Sequence, residues 1–392
     1  ISSHASIFSG YDVEEHNVTR HKSFMKTEQT IWNDLSKKYN YTTGLFTPNV
    51  VVAQTSNLGE CFDTCIGPKR ANFRLFDSAL APFDVQGKLS PSEYLKMALR
   101  HDSPIKSVLN GFYKKIESRG GSHDPATEHA SVYIDELFQW ISEQSGSWAA
   151  CLNLMDTHTP FLPANEYNLW SNEAAKEDHK HDENTPEPFS EEFWDYLGTL
   201  ESLYDGTIRQ ADAAIKQVIN RLAEADELDD TLVIITSDHG EGLGERSKLD
   251  PDVRLRHHSW GIDEHLTHVP LIVRTPGKEN GQVVEEPATL TRFPEVVKAA
   301  IEGRDIAEAF VPEGDVISST YRIEPPGDEL PLPEAERQKY FGPWRAVYRM
   351  TEEGIIKYAR RGDTAATFKI SDAQTVTQID DTDRQVVENV FN

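Results

Sequence analysis

Four apolar residues, Leu232, Val233, Ile234 and Ile235, run without polar interruption and then meet Ser237-Asp238-His239-Gly240. An unalternating run of this kind predicts a strand covered on both faces, as in a parallel sheet flanked by helices. The carboxyl end of such a strand opens into the crevice where α/β sheets bind ligands. The same arrangement occurs earlier, where Val132, Leu137, Trp140 and Ile141 mark an amphipathic helix and a buried strand follows over Ala149–Met155, ending in MDTHTPF. A helix from about Glu28 to Tyr39 leads into a strand at Thr42–Phe46. Leu200, Tyr204, Ile208, Ala211, Ile215, Ile219 and Leu222 recur at steps of three and four, which predicts one helix from Leu197 to Ala225. VPLIVRTPG reads as another buried strand stopped by Pro276-Gly277, and TRFPEVVKAAIEG as a short helix. The segment RSKLDPDVRLRHHSWGIDEHLTH reads as a loop, and Ser171–Glu192 as a polar surface excursion flanking the crevice. Within that excursion His179 and His181 are read as solvated residues rather than metal ligands. In the last sixty residues, WRAVYRM, GIIKYARR and TAATFKI alternate as short strands. The expected fold class is α/β, a mostly parallel sheet sandwiched by helices over 1–310, with a small C-terminal antiparallel α+β subdomain over 311–392.

Length and charge narrow the possible functions. At 392 residues the chain can bury an ample core. Its 65 acidic against 39 basic residues give a formal charge of -26, which opposes nucleic acid or anionic membrane as a partner and suits a solvated, salt-adapted surface. No run of about 18 apolar residues is present, so no membrane segment is expected. The three cysteines, Cys61, Cys65 and Cys151, exclude a disulfide scaffold and supply no second pair for a structural zinc; their scarcity suits a reducing, cytoplasmic setting.

Three polar clusters follow separate elements: Asp156 with His158, Asp238 with His239, and His257 with His258. Strand carboxyl ends share one edge of a parallel sheet, so these groups can converge although distant in sequence. A carboxylate with an imidazole suits a divalent cation, and adjacent imidazoles suit an anion held against it. A metal-dependent hydrolytic site is therefore expected.

TLVIITSDHGEGLGE followed by GIDEHLTHVPLIVRTPG closely resembles the second signature of the sulfatases, within the alkaline phosphatase-like superfamily. YDGTIRQAD resembles the preceding helix of that family, MDTHTPFLP its substrate-side histidine segment, and SHASIFSGYDVEEHNV the tail of its nucleophile signature; these matches are collinear from residue 1 to about 300. The resemblance implies that Asp238 and His239 are metal ligands, the family placing asparagine or histidine at the second position. It implies that His158 contacts the transferred sulfuryl or phosphoryl group, and that His258 stands where members place a lysine or histidine on that group or its leaving oxygen. The implied cofactor is a divalent metal, calcium first, with manganese or magnesium as alternatives and zinc less suited. The implied ligand is a small-molecule or carbohydrate sulfate or phosphate ester.

The sequence also departs from the family pattern. Aligning ASIFSG places His4 where the family carries arginine, as an anion contact, and the nucleophile one position before Ile1; the paired aspartates of the family's first strand likewise fall outside the chain. On this reading the chain is a fragment. Ser2 or Ser3 could serve as nucleophile only in a shifted spacing, and hydroxyl residues at a helix start more often act as caps. Pro48 and Asn49 stand where arylsulfatases have a sulfate-gripping lysine segment. Sulfate ester hydrolysis is the leading expectation. A phosphatase or phosphodiesterase with a threonine or serine nucleophile, and an inactive binding remnant, are the alternatives.

Overall fold

A computed structural model describes residues 1–20, 23–68, 79–80, 91–101, 103–117, 129–180, 186–278, 280–321, 330–372, 375–379 and 384–391. The strands are β1 Thr42–Phe46, β2 Thr64–Ile66, β3 Trp148–Leu152, β4 Val233–Thr236, β5 Gly242–Arg246, β6 Arg254–His257, β7 Leu271–Arg274, β8 Val316–Thr320, β9 Trp344–Thr351, β10 Gly354–Arg361, β11 Thr364–Ile370 and β12 Val376–Ile379. The helices are α1 Ser2–Ser9, α2 Val13–His16, α3 Ile31–Lys38, α4 Pro91–Ala98, α5 Pro104–Glu117, α6 Ala130–Ser142, α7 Glu173–Lys180, α8 Glu191–Thr199, α9 Glu201–Glu224, α10 Glu264–Thr267, α11 Phe293–Ile301, α12 Glu334–Arg337 and α13 Arg384–Phe391. Among the described residues no helix is long and apolar enough to cross a membrane.

β2, β1 and β3 form a parallel sheet in that order, with Thr42 opposite Trp148 and Gly44 opposite Thr64. Its two faces are covered by different helices, as the uninterrupted apolar runs require. On one side Leu45 packs with Ala5 and Phe8 of α1 and Ile31, Trp32 and Leu35 of α3. On the other, Phe46 packs with Tyr133, Ile134, Leu137, Trp140 and Ile141 of α6 and Ala214 and Leu222 of α9. α3 starts at Ile31 rather than at Glu28 because Thr30 caps it, its hydroxyl accepting the Asn33 N–H at 3.3 Å.

Three expectations are corrected. β4 pairs antiparallel with β7, Ile234 opposite Val273, and not within a parallel sheet. Between them the chain makes only a hairpin and the four-residue α10, without the helical crossover that returns a strand in the parallel sense. The expected loop after Glu245 contains β6, whose run Arg254–His257 forms that hairpin with β5, built from Gly242, Leu243 and Gly244 just before the loop. The single helix expected over Leu197–Ala225 divides at Leu200 into α8 and α9.

The C-terminal strands form one antiparallel sheet in the order β12-β11-β10-β9-β8. A shared core, with Phe161, Trp194, Leu243 and Trp260 against Trp344, Ala359 and Phe368, joins it to the rest of the chain. One buried ion pair fixes this contact. Lys357 of β10, 1% exposed, donates to the Ile262 carbonyl at 2.6 Å and to Glu264 Oε1 at 2.7 Å. Burial works against the ammonium, but Tyr348, Glu264 and Asp263 around it keep its pKa raised.

Lys357→Ala leaves the Glu264 carboxylate buried without its counter-charge, a change that costs about 3–5 kcal/mol, whereas replacing both partners by apolar groups costs far less. Denaturant unfolding of Lys357→Ala and of the Lys357→Met/Glu264→Leu double variant checks this; equal losses in the two would contradict it.

Candidate active site

β4 delivers the chain to the turn Ser237-Asp238-His239-Gly240, which is pinned from below. The Gly240 N–H donates to the Leu266 carbonyl of α10 at 2.9 Å. A Cβ at Gly240 would stand 1.9 Å from the His265 carbonyl oxygen, so only glycine permits this approach. The next glycine, Gly242, packs closely on β6, where a Cβ would meet Leu255 Cβ at 2.7 Å and the His257 carbonyl at 2.9 Å.

On this turn the His239 Nδ1–H donates to the Gly240 carbonyl at 2.8 Å, which leaves Nε2 with its lone pair exposed to the site. That Nε2 lies 3.5 Å from Asp238 Oδ2. Two donors about 2–2.3 Å from one cation, at the angles such sites adopt, stand about 3–3.6 Å apart. Asp238 and His239 therefore fit a shared divalent ion, as the sequence implied.

His4 of α1 reaches the same carboxylate from the opposite side, its Nδ1 3.2 Å from Asp238 Oδ2 without the alignment of a hydrogen bond. Burial alone would raise the Asp238 pKa, but His239 and His4 hold it far below the ordinary carboxylate range. The site thus presents a fixed anion to a cation.

The histidine pair expected on the ester also assembles. The His258 ring stacks on His239 at a centroid distance of 3.9 Å and an interplanar angle of 25°, with the His158 ring 6.3 Å away. The His158 Nδ1–H donates to the Thr159 carbonyl at 2.6 Å, so its Nε2 is the nitrogen available to a ligand. Asp156, paired with His158 in the sequence reading, serves the loop instead: it accepts from Gln210 of α9 at 2.7 Å, and Gln210 in turn accepts the Ala164 N–H at 2.8 Å. A cleft of about 290 Å³ opens on Asp238, His239 and His258 and continues between α1 and β8, past Ser6, Ser319 and Tyr348.

Two residues escaped the sequence reading. Glu241, its side chain 7% exposed, accepts from His257 Nδ1 at 2.8 Å and lies 3.7 Å from His258 Nδ1. Burial would raise this carboxyl, but the bonds to His257 and His258 draw it down from 4.5 to about 2. The donor atoms of His239, Glu241 and His258 lie within 4.8 Å of one another, a second group with metal-ligand chemistry among the described residues. His16 accepts the Val18 N–H at Nδ1 and donates from Nε2 to Ser6 of α1 at 2.9 Å, and burial lowers its pKa to about 4. Position in the quoted motifs was the only signal for either residue.

The excursion residue His179 is not solvated as expected. Its Nε2 accepts the Phe161 N–H at 2.7 Å, its Nδ1 faces Tyr196 Oη at 2.9 Å, and its ring stacks on Phe161. One nitrogen serves the loop that carries His158 and the other faces α8, so both are engaged within the protein. His181 lies outside the described residues. Where arylsulfatases have a lysine segment, Asn49 caps a helical turn, its Oδ1 accepting the Val51 and Val52 N–H groups at 3.0 and 3.2 Å.

Residues 1–300 match the family model described as Sulfatase, and the chain belongs to that family. It is 25% identical to human iduronate 2-sulfatase over 223 residues, 55% of this chain and 36% of that protein. Against arylsulfatase K of Canis lupus familiaris it is 27% identical over 149 residues, 38% of this chain and 24% of the relative. The chain thus spans well under half the length of these curated relatives. Its fold is similar to that of a phosphonate monoester hydrolase from Silicibacter pomeroyi (TM-score 0.57, 17% identity, 99% of this chain and 83% of that one). A similar likeness holds to BT4656, solved with its substrate D-glucosamine-2-N,6-O-disulfate (TM-score 0.53, 14% identity, 94% and 80%). These likenesses bear out the alkaline phosphatase-like fold.

Because the Glu241 pKa is depressed on folding, its ionised form stabilises the protein above pH 4.5, and that stabilisation is lost as the pH falls from 4.5 toward about 2. The full contribution is on the order of 3 kcal/mol. Urea unfolding in chelator between pH 6 and pH 2 is expected to show a shallower acid loss in Glu241→Gln than in the wild type. Parallel curves would contradict the assignment.

Proposed function

We propose that this site hydrolyses sulfate monoesters with the aid of a divalent cation. The observation that carries the reading is the convergence of Asp238, His239 and His258 at one cleft, with the His158 ring 6.3 Å from that of His258. Family membership agrees with it. Asp238 and His239 would hold the cation, calcium in the first instance, with manganese or magnesium as alternatives. Bound there, it would supply positive charge to the non-bridging oxygens of the ester.

The chain's own groups do the remaining work. His158 has committed its Nδ1–H to the Thr159 carbonyl, so it can donate from Nε2 only as the imidazolium. In that form it holds a non-bridging oxygen or protonates the departing alcohol, and afterwards it is an acceptor. His258, stacked on His239 and lining the cleft, would contact the same group or its leaving oxygen. His4 braces the Asp238 carboxylate, and we assign it the further task of facing the anion, in place of the family's arginine. The nucleophile belongs, by the resemblance, to the position before Ile1.

The test compares p-nitrophenyl sulfate with p-nitrophenyl phosphate, using protein that carries the family's nucleophile motif ahead of Ile1, with calcium and manganese in turn. Sulfate release supports the proposal. Turnover of phosphate alone would replace it with the phosphoryl-transfer reading, and stoichiometric metal binding without any turnover would favour a binding role.

The division of labour has its own check. Asp238→Ala is expected to lose both calorimetric metal binding and turnover, while His158→Ala keeps metal and loses about 10²–10³-fold in kcat. Equal metal loss in the two variants would refute the separate roles.

A further inference from the structure

His257 ends β6 in the left-handed region, at φ 49°, although it carries a full side chain. A residue with a Cβ pays about 1 kcal/mol or more for that conformation, and such strain persists only where the surroundings enforce it. Two contacts enforce it here. His257 pairs with Gly242 of β5, where no side chain would fit, and its Nδ1–H donates to Glu241 Oε1 at 2.8 Å. The turn at His257 redirects the chain immediately before His258, whose ring then lies on His239 at 3.9 Å and 6.3 Å from His158.

We propose that Glu241 and His257 form a paired positioning device: the carboxylate holds His257 left-handed, and that backbone conformation aims His258 at the reacting group. Glu241 holds His257 and also lies 3.7 Å from His258 Nδ1, and it acts as a positioning residue, not as a metal ligand. The kinetic part of this inference rests on the reading of His258 as a contact to the ester.

Glycine adopts φ 49° without support, whereas alanine does not. If the His257 imidazole is needed only to secure the backbone, His257→Gly keeps function and His257→Ala loses it. The experiment compares the two variants and Glu241→Gln in ester turnover, in Mn²⁺ binding by calorimetry, and in the histidine ring resonances of isotope-labelled protein. The resonances of His239 and His258 report their stacking directly.

His257→Ala is expected to lower kcat about 10–100-fold, in line with the penalty for a small misplacement of a reacting group, and to shift both resonances. His257→Gly is expected to stay within about threefold of wild type with its resonances in place. Glu241→Gln should bind Mn²⁺ with wild-type stoichiometry. Equal losses in the alanine and glycine variants would overturn the backbone role, and loss of Mn²⁺ in Glu241→Gln would make Glu241 a ligand with His239 and His258. If the wild type hydrolyses no ester, the reading of His258 fails. The resonance comparison then still decides whether Glu241 and His257 set its position.

Discussion

The contact on which the rest of the site depends is the approach of Gly240 to α10. Its N–H bonds the Leu266 carbonyl at 2.9 Å, and a Cβ in its place would stand 1.9 Å from the neighbouring carbonyl oxygen. This fixes the height of the Asp238-His239 turn over the segment Ile262–Thr267. That segment is itself gripped from the far side: Lys357 bonds Ile262 and Glu264, and Tyr348 Oη lies 2.8 Å from Thr267 Oγ1. The C-terminal sheet is therefore part of the foundation of the site. A buried ion pair adds little net stability but strongly penalises any arrangement that separates its partners. Here the arrangement it protects is the seating of α10 under the candidate metal ligands.

Electrostatics in the site follow from one repeated local device. His158 and His239 each donate Nδ1–H to the carbonyl of the next residue, at 2.6 and 2.8 Å, so both present Nε2 outward. What differs is the neighbour. His239 Nε2 lies beside the Asp238 carboxylate, where a neutral ring and an anion together suit a cation. For His158 the contacts that fix its ring are the Thr159 carbonyl and the His258 ring, with no carboxylate among them. Identical tautomers thus lead to different chemistry because only one imidazole is paired with a depressed carboxylate.

Much of this was legible in the sequence, for reasons that also mark the limits. β1 was readable to the residue, because Thr42, Thr43 and Phe46 favour a strand and follow directly on the end of a helical segment. Asp238, His239, His158 and His258 were readable because strand ends and motif spacing both point at them. The β5–β6 hairpin was hidden, because its strands consist of glycine, leucine and charged residues whose pairing depends on tight packing and not on propensity. The antiparallel sense of β4 and β7 was likewise hidden, since an apolar run does not state its direction. His179 sits in a charged excursion and was read as solvated, and Glu241, between two glycines, was not singled out. Their roles come from partners more than ten residues away, Phe161 and Tyr196 for one, His257 for the other.

The overall charge of -26 at first sight opposes an anionic substrate. The conflict eases once distance is considered. Exposed charges act over about 8 Å at physiological ionic strength and about 3 Å at 1 M salt, so a surface rich in acid projects weakly into a cleft under saline conditions. Inside the cleft the nearest charges decide. Asp238, which lines the cleft, is flanked by His4 and His239, and Glu241 is bonded to His257; Asp12 and Glu14 line the same cleft. Four imidazoles, those of His4, His239, His257 and His258, lie within 3.7 Å of the Asp238 and Glu241 carboxylates. An anion that reaches this point meets Asp238 and Glu241 already engaged by imidazoles, so the local pairings count for more there than the acidity of the whole molecule.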